Sequence, residues 1–141
     1  MTTINAENLI LGKLATNVAK RLISGETITI ANAEKAVMLG TKEAKAYKFK
    51  KRLGIAYKGM PERGPKYSNR PETIMRYAIR GMLPTERASG RDAFRRLKVY
   101  SGLPLELKDR NLKTVPDAKC KSDRFVYLED VCKHLGYEAK A

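Results

Sequence analysis

Hydrophobic and polar positions change period several times in the first hundred residues, which predicts short strands alternating with amphipathic helices. Residues 3–6 fit a short strand, and apolar side chains then recur at helical spacing over residues 11–22, before Gly25. The β-favouring stretch ETITIAN, residues 26–32, predicts a second strand. A strand, a helix and a strand within about 30 residues favour a parallel pair with a right-handed connection.

The rest of the chain continues this mixed α/β pattern. The apolar run AVMLG, residues 36–40, predicts a further strand or turn, and a helix capped by Thr41 follows over residues 41–53. Pro71 suits the first position of the next helix, which Pro84 ends. LKVY at 97–100 predicts a fourth strand, and 125–136, FVYLEDVCKHLG, predicts a docked C-terminal helix.

Positive charge is concentrated in one continuous segment. The 141 residues carry 29 Lys+Arg and 15 Asp+Glu, a net charge of +14. Residues 42–98 hold 17 of the basic residues and only 5 of the acidic ones, whereas the parts before and after are each close to neutral, at +1. Such a segment repels itself unless a polyanion neutralises it, so we expect a nucleic-acid partner.

Aromatic residues, glycines and prolines interrupt the most basic stretch, residues 45–70, and this mixture predicts an irregular RNA-binding arm. This stretch contains nine Lys or Arg residues and a single acidic residue, Glu62. The rings of Tyr47, Phe49, Tyr57 and Tyr67 can stack on unpaired bases while the cations contact phosphates. The alternative is a solvated loop whose aromatic side chains anchor it to the domain.

We predict two groups of RNA-binding residues. The arm cations neutralise phosphates: Lys48, Lys50, Lys51, Arg52, Lys58, Arg63, Lys66 and Arg70. A second, arginine-rich group makes more ordered contacts, because a guanidinium can donate two parallel hydrogen bonds to a phosphate. Its members are Arg76, Arg80, Arg87, Arg91, Arg95, Arg96 and Lys98. The alternative is that these arginines form surface salt bridges, but few acids lie nearby.

Residues for enzymatic chemistry are sparse, so we predict no catalytic residue, metal or cofactor. Two cysteines and one histidine are too few for a tetrahedral zinc site, and we expect both thiols to be reduced, with Cys132 packed as a small apolar residue. His134 has no suitably spaced nucleophile or carboxylate partner. No glycine-rich dinucleotide or phosphate motif and no DNA-binding motif occurs. No signal peptide or apolar membrane span occurs either, which predicts a soluble, intracellular protein.

Four stretches of the chain match a known pattern: LGKLATNVAKRL at 11–22, IANAEKAVMLGTK at 30–42, AIRGMLP at 78–84 and RLKVYSGLP at 96–104. They resemble the family of the universal thirteenth protein of the large ribosomal subunit. The most specific feature is RGMLP followed a short way on by RLKVY. Residues 105–141 are similar to the archaeal and eukaryotic branch, and the short chain favours an archaeal member.

The resemblance implies a fold and a function. The expected fold is one three-layer α/β/α domain over residues 1–141, with a small, mainly parallel four-stranded sheet, the basic arm at 45–70 and a C-terminal helical extension at 105–141. The expected role is that of a structural constituent of the large ribosomal subunit that binds 23S-type ribosomal RNA early in assembly. Its implied partners are that RNA and neighbouring large-subunit proteins, with no catalysis, small-molecule substrate or membrane.

Three other functions stay open at this point. The chain could bind another structured RNA, or process nucleic acid as an enzyme, which would need an acidic metal cluster within the basic segment. It could also be an interaction module for an acidic protein or an anionic membrane surface.

Overall fold

The computed structural model describes residues 2–107 and 112–138, and in them helices and short strands alternate as the sequence pattern predicts. The strands are β1 (Thr2–Asn5), β2 (Ile28–Ala31), β3 (Val37–Leu39), β4 (Leu97–Val99) and β5 (Phe125–Tyr127). The helices are α1 (Leu11–Ile23), α2 (Lys42–Leu53), α3 (Pro71–Arg80), α4 (Ala88–Arg95) and α5 (Leu128–His134).

A three-stranded parallel sheet lies at the centre of the fold. Its strand order is β1-β2-β4, with Thr2 opposite Ile28 and Ile28 opposite Leu97. All four residues of β2 are buried, as expected for the middle strand of a covered parallel sheet. The predicted parallel pairing of the first two strands through a crossover helix, α1, is confirmed.

The predicted four-stranded sheet is wrong, because β3 leaves the parallel sheet. It pairs instead with β5 in a separate antiparallel ribbon, in which Val37 lies opposite Tyr127. Asn32 adopts the left-handed conformation, with φ of +55°, and a 3-10 turn at Ala33–Lys35 then redirects the chain. The backbone N–H of Val37 donates to the Leu9 carbonyl, at 2.9 Å, which holds β3 beside the start of α1.

The C-terminal helix is shorter than predicted, because residues 125–127 form β5 rather than its first turn. Leu128, Val131 and Cys132 are buried, so the predicted apolar face is confirmed. Burial raises the pKa of the Cys132 thiol to about 12, and a thiol that stays neutral packs as an apolar side chain. Both cysteines are free.

The predicted arrangement of the fold in three layers stays a prediction.

Packing of α1 against α3 builds one side of the core. Leu14, Val18 and Leu22 of α1 are buried, as are Met75 and Ile79 of α3. Their spacing of three and four residues places them on one face of each helix. Helix α3 ends at Arg80, four residues before Pro84, so Met82 lies past its end and is 42% exposed.

Candidate nucleic-acid interface

We define the basic face as the exposed side chains of residues 42–98, which run from α2 to the middle of β4. Fourteen of the fifteen predicted RNA-binding residues are exposed, the exception being the half-buried Arg96. The body on either side of the segment carries almost no net charge. The basic face is therefore a charged surface attached to a nearly neutral core.

Helix α2 presents cations because only a narrow strip of it is apolar. Ala46 is its one buried residue, and Phe49 is half-buried against the core. The other faces are exposed and place four predicted contacts on the last two turns, where cations also interact favourably with the helix dipole. These contacts are Lys48, Lys50, Lys51 and Arg52. The Arg52 guanidinium lies 5.9 Å from the centre of the Phe49 ring.

The arm is helical up to Leu53 and irregular from Gly54 to Arg70, apart from one 3-10 turn at Pro61–Arg63. Gly64 permits a close approach of backbone segments, because a Cβ there would lie 3.2 Å from the Tyr57 nitrogen and 3.3 Å from the Pro61 oxygen. The loop thus folds back on itself while its cations remain exposed. These cations are Lys58, Arg63, Lys66 and Arg70.

Two contacts order the end of the arm near the body. The Asn69 side-chain amide donates to the Leu135 carbonyl just after α5, at 3.4 Å, and the Arg70 backbone N–H donates to the Ser68 hydroxyl, at 3.2 Å. Pro71 then begins α3 with its fixed φ. The arm therefore leaves from one helix and returns to another at defined points.

The arginines of α3 and α4 lie along exposed helix faces. Arg87, Arg91 and Arg95 are four residues apart, which aligns them in one stripe. The Arg76 guanidinium lies 4.8 Å from the centre of the Phe94 ring, so it connects α3 to α4 through a cation–π contact. Lys98 is exposed on β4, an edge strand of the parallel sheet.

Arg96 differs from its neighbours because its guanidinium points inward. Its Nη2 donates to the Leu22 carbonyl near the end of α1, at 2.9 Å. Its Nε atom is buried and has no hydrogen-bond partner among the described residues. A cation at the C-terminus of a helix is favoured by the dipole. The structure thus gives Arg96 an intramolecular contact that its predicted role did not include.

Acidic side chains leave the basic face almost uncompensated. Among the side chains described, Arg95 is the one predicted RNA-binding residue in a salt bridge, with Asp92 at 3.1 Å. Glu72 instead accepts a hydrogen bond from the Ser101 hydroxyl, at 2.7 Å. The alternative of surface salt bridges therefore fits one arginine of the group and not the others.

A groove of about 640 Å³ lies between α2, the arm and α3. It brings together three predicted contacts, Arg52, Lys66 and Arg80, and the rings of Tyr67 and Tyr77. Leu11 at the start of α1 and Leu135 after α5 also line it, and sequence reasoning missed both. The only signal for the groove is the set of apolar residues within the basic segment, such as Leu53 and Met82, which are exposed there.

The described part of the chain holds neither a cluster of metal-ligating side chains nor a helix that could span a membrane. Residues 2–107 and 112–138 hold no group of three or more His, Cys, Asp or Glu side chains that could bind a metal ion. Their helices are all too short or too polar to cross a bilayer.

Comparison with known proteins identifies the family. The model of the family described as ribosomal protein L13 matches residues 1–106. Over 96% of its length the chain is 45% identical to the large ribosomal subunit protein uL13 of Methanosarcina barkeri, covering 98% of that protein. It is 41% identical to the uL13 protein of Archaeoglobus fulgidus, covering 88% of it. These matches extend past the family model into the C-terminal helix, and the chain therefore belongs to the ribosomal protein L13 family as an archaeal member.

Proposed function

We propose that the protein is a structural constituent of the large ribosomal subunit that binds 23S-type ribosomal RNA through its basic face and supports early subunit assembly and translation. It would act in the cytoplasm beside neighbouring large-subunit proteins. Membership of the ribosomal protein L13 family confirms the prediction that the chain is not an enzyme. The relatives carry the name of a large-subunit protein, which supports the same role here.

The observation that carries this proposal is the uncompensated charge of residues 42–98. Seventeen cations and five acids lie in this segment, and of the fifteen predicted contacts only Arg95 is bridged to a described carboxylate. Folded RNA crowds phosphates together, and cations held at fixed positions relieve their repulsion. Buried residues of α2, α3 and α4 belong to the core, so core packing supports the helices that carry these cations.

Each group of cations has a distinct task in this proposal. The lysines of α2 and the arm replace condensed counterions along the RNA backbone, whereas the exposed arginines of α3 and α4 fix the orientation of the protein through forked hydrogen bonds. Arg96 holds the end of α4 against the end of α1 and contributes to binding through that placement.

The test is the salt dependence of binding to large-subunit ribosomal RNA transcribed in vitro. If about 6 to 10 phosphates are contacted, log affinity falls against log salt with a slope of about −4 to −9, which spans single-stranded and duplex RNA. A slope near −1 would contradict the proposal.

The control is heparin, a polyanion without RNA structure. We expect folded ribosomal RNA to bind in the presence of heparin amounts that displace a scrambled RNA of equal length. If heparin displaces both RNAs equally, the protein recognises negative charge alone, and a specific ribosomal RNA site is rejected.

A further inference from the structure

We propose that the groove between α2, the arm and α3 binds one unstacked nucleobase of the RNA together with its phosphate. The proposal rests on the proposed function and adds a defined ligand class and site to it. In this site Tyr67 and Tyr77 supply the stacking surfaces, and Arg52, Lys66 and Arg80 supply the anion contacts.

The first observation is that two exposed tyrosine rings line one concave surface. Tyr67 and Tyr77 are each 45% exposed, and both line the same groove, one from the arm and the other from α3. Apolar side chains continue the lining, including the exposed Leu53 and Met82. A flat ring has a π-face on which any nucleobase can stack, so this apolar lining fits a base.

The second observation is the sign of the charge around the lining. Arg52, Lys66 and Arg80 line the groove, and no Asp or Glu is among the described residues that form it. None of these three cations is in a salt bridge with a described carboxylate. An occupant that combines an aromatic ring with a negative charge matches both features, and a nucleotide within an RNA strand is such a ligand.

The shape of the groove favours a single nucleotide over a duplex. Its volume of about 640 Å³ falls within the roughly 300–1,000 Å³ typical of ligand pockets. Helices α2 and α3 form two of its sides, so a base must leave the RNA stack to enter the groove. In an RNA duplex, stacking holds the bases inside the double helix. RNA-binding proteins read bases mainly at loops and bulges, where a base can be splayed out. The Ser68 hydroxyl at the groove can donate its proton to a base edge.

The test compares ring removal inside the groove with removal of an exposed ring outside the basic face. Tyr77→Ala should weaken binding to in vitro transcribed large-subunit ribosomal RNA by about five- to 150-fold, the range for loss of one base–aromatic stack. The slope of log affinity against log salt should stay unchanged, because stacking releases no counterions. Tyr77→Phe keeps the ring and should bind like the parent chain.

The matched control is Tyr100→Ala. Tyr100 follows β4 outside the basic face, is 39% exposed and does not line the groove, so its loss should leave affinity nearly unchanged. Tyr67→Ala tests the second ring from the arm and gives an independent result if Tyr77→Ala does not fold. Equal affinity of the parent chain and Tyr67→Ala, or equal losses in Tyr67→Ala and Tyr100→Ala, would overturn the groove site.

Photocrosslinking of the unaltered protein gives a second measurement that does not depend on any variant. With RNA containing 4-thiouridine and 6-thioguanosine, we expect crosslinked peptides that include Tyr67 or Tyr77. Tight, salt-dependent binding with crosslinks only outside these peptides would reject the groove and leave the proposed function intact. If the parent chain itself shows no salt-dependent binding, the proposed function is rejected, and the groove site with it.

Discussion

Two neighbouring arginines show how far a single residue can be predicted from its surroundings in the sequence. Arg95 and Arg96 have the same chemistry, and the charge pattern assigns both to the RNA-binding group. One step along a helix turns a side chain by about 100°. That step takes the exposed Arg95 toward Asp92 and the half-buried Arg96 toward the Leu22 carbonyl. Which of the two points inward depends on where α1 ends, and local sequence does not contain that information.

Replacing each arginine by methionine separates these two environments. Arg96→Met removes a hydrogen bond from a charged donor to a helix-end carbonyl, so the free energy of unfolding should fall by about 1–3 kcal/mol. Arg95→Met loses an exposed ion pair and should cost about 0.5 kcal/mol or less. Urea denaturation measures both values. Equal losses in the two variants would show that the Leu22 contact does not stabilise the fold.

At the scale of elements, the helices and the parallel strands follow from local pattern, whereas the pairing of β3 does not. Helix α1 begins at the predicted Leu11 and α3 at Pro71, because apolar spacing and proline geometry act within a few residues. The partner of β3 is β5, which lies almost ninety residues further along the chain. The three residues of β5 directly precede α5 and continue its helical pattern, so no local pattern in the sequence distinguishes them as a strand.

The candidate site divides in the same way. Its cations and rings are visible in the sequence as a basic segment interrupted by aromatic residues. The groove is not visible there, since it also needs Leu11 and Leu135 from opposite ends of the chain. Composition therefore predicts which chemical groups the site contains. It does not predict the concave shape of the groove, because that shape arises only when elements distant in the sequence pack together.

The approach of α4 to the turn that precedes it gives a prediction at this scale. A Cβ on Gly90 would lie 2.1 Å from the Pro84 carbonyl oxygen and 2.4 Å from its carbon, so Gly90→Ala must displace backbone. We expect the free energy of unfolding to fall by about 1–3 kcal/mol or more, measured by chemical denaturation.

Gly12→Ala is the matched control, because Gly12 also lies in the first turn of a helix, but apart from its chain neighbours and the backbone of its own helix, nothing lies within 4 Å of the point that its Cβ would occupy. Alanine there should be neutral or add up to about 1 kcal/mol through helix propensity. If Gly90→Ala is as stable as Gly12→Ala, the close contact between α4 and Pro84 does not exist in solution.

At the scale of the whole molecule, charge and fold are separated along the chain. The segments before residue 42 and after residue 98 supply β1, β2, α1 and α5, with their buried residues, at almost no net charge. The segment between them supplies the charge, yet it also contributes buried side chains such as Met75 and Ile79. Because α3 packs on α1, the part of the basic face that α3 carries is held against the core.

If this separation governs RNA binding, the position of a cation matters more than the net charge. Lys48, Lys51 and Lys58 lie within the basic face, and Lys20, Lys119 and Lys121 lie outside it; all six are exposed and unbridged among the described side chains. Changing either set to glutamine lowers the net charge equally, from +14 to +11. The first triple variant should reduce the magnitude of the salt slope by about 2 to 3, because each lost phosphate contact removes about 0.7–0.9, whereas the second should keep the parent slope.

Fluorescence titration with large-subunit ribosomal RNA at several salt concentrations gives both slopes. Equal reductions would mean that the protein attracts RNA through its overall charge, and the basic face would then have no special role.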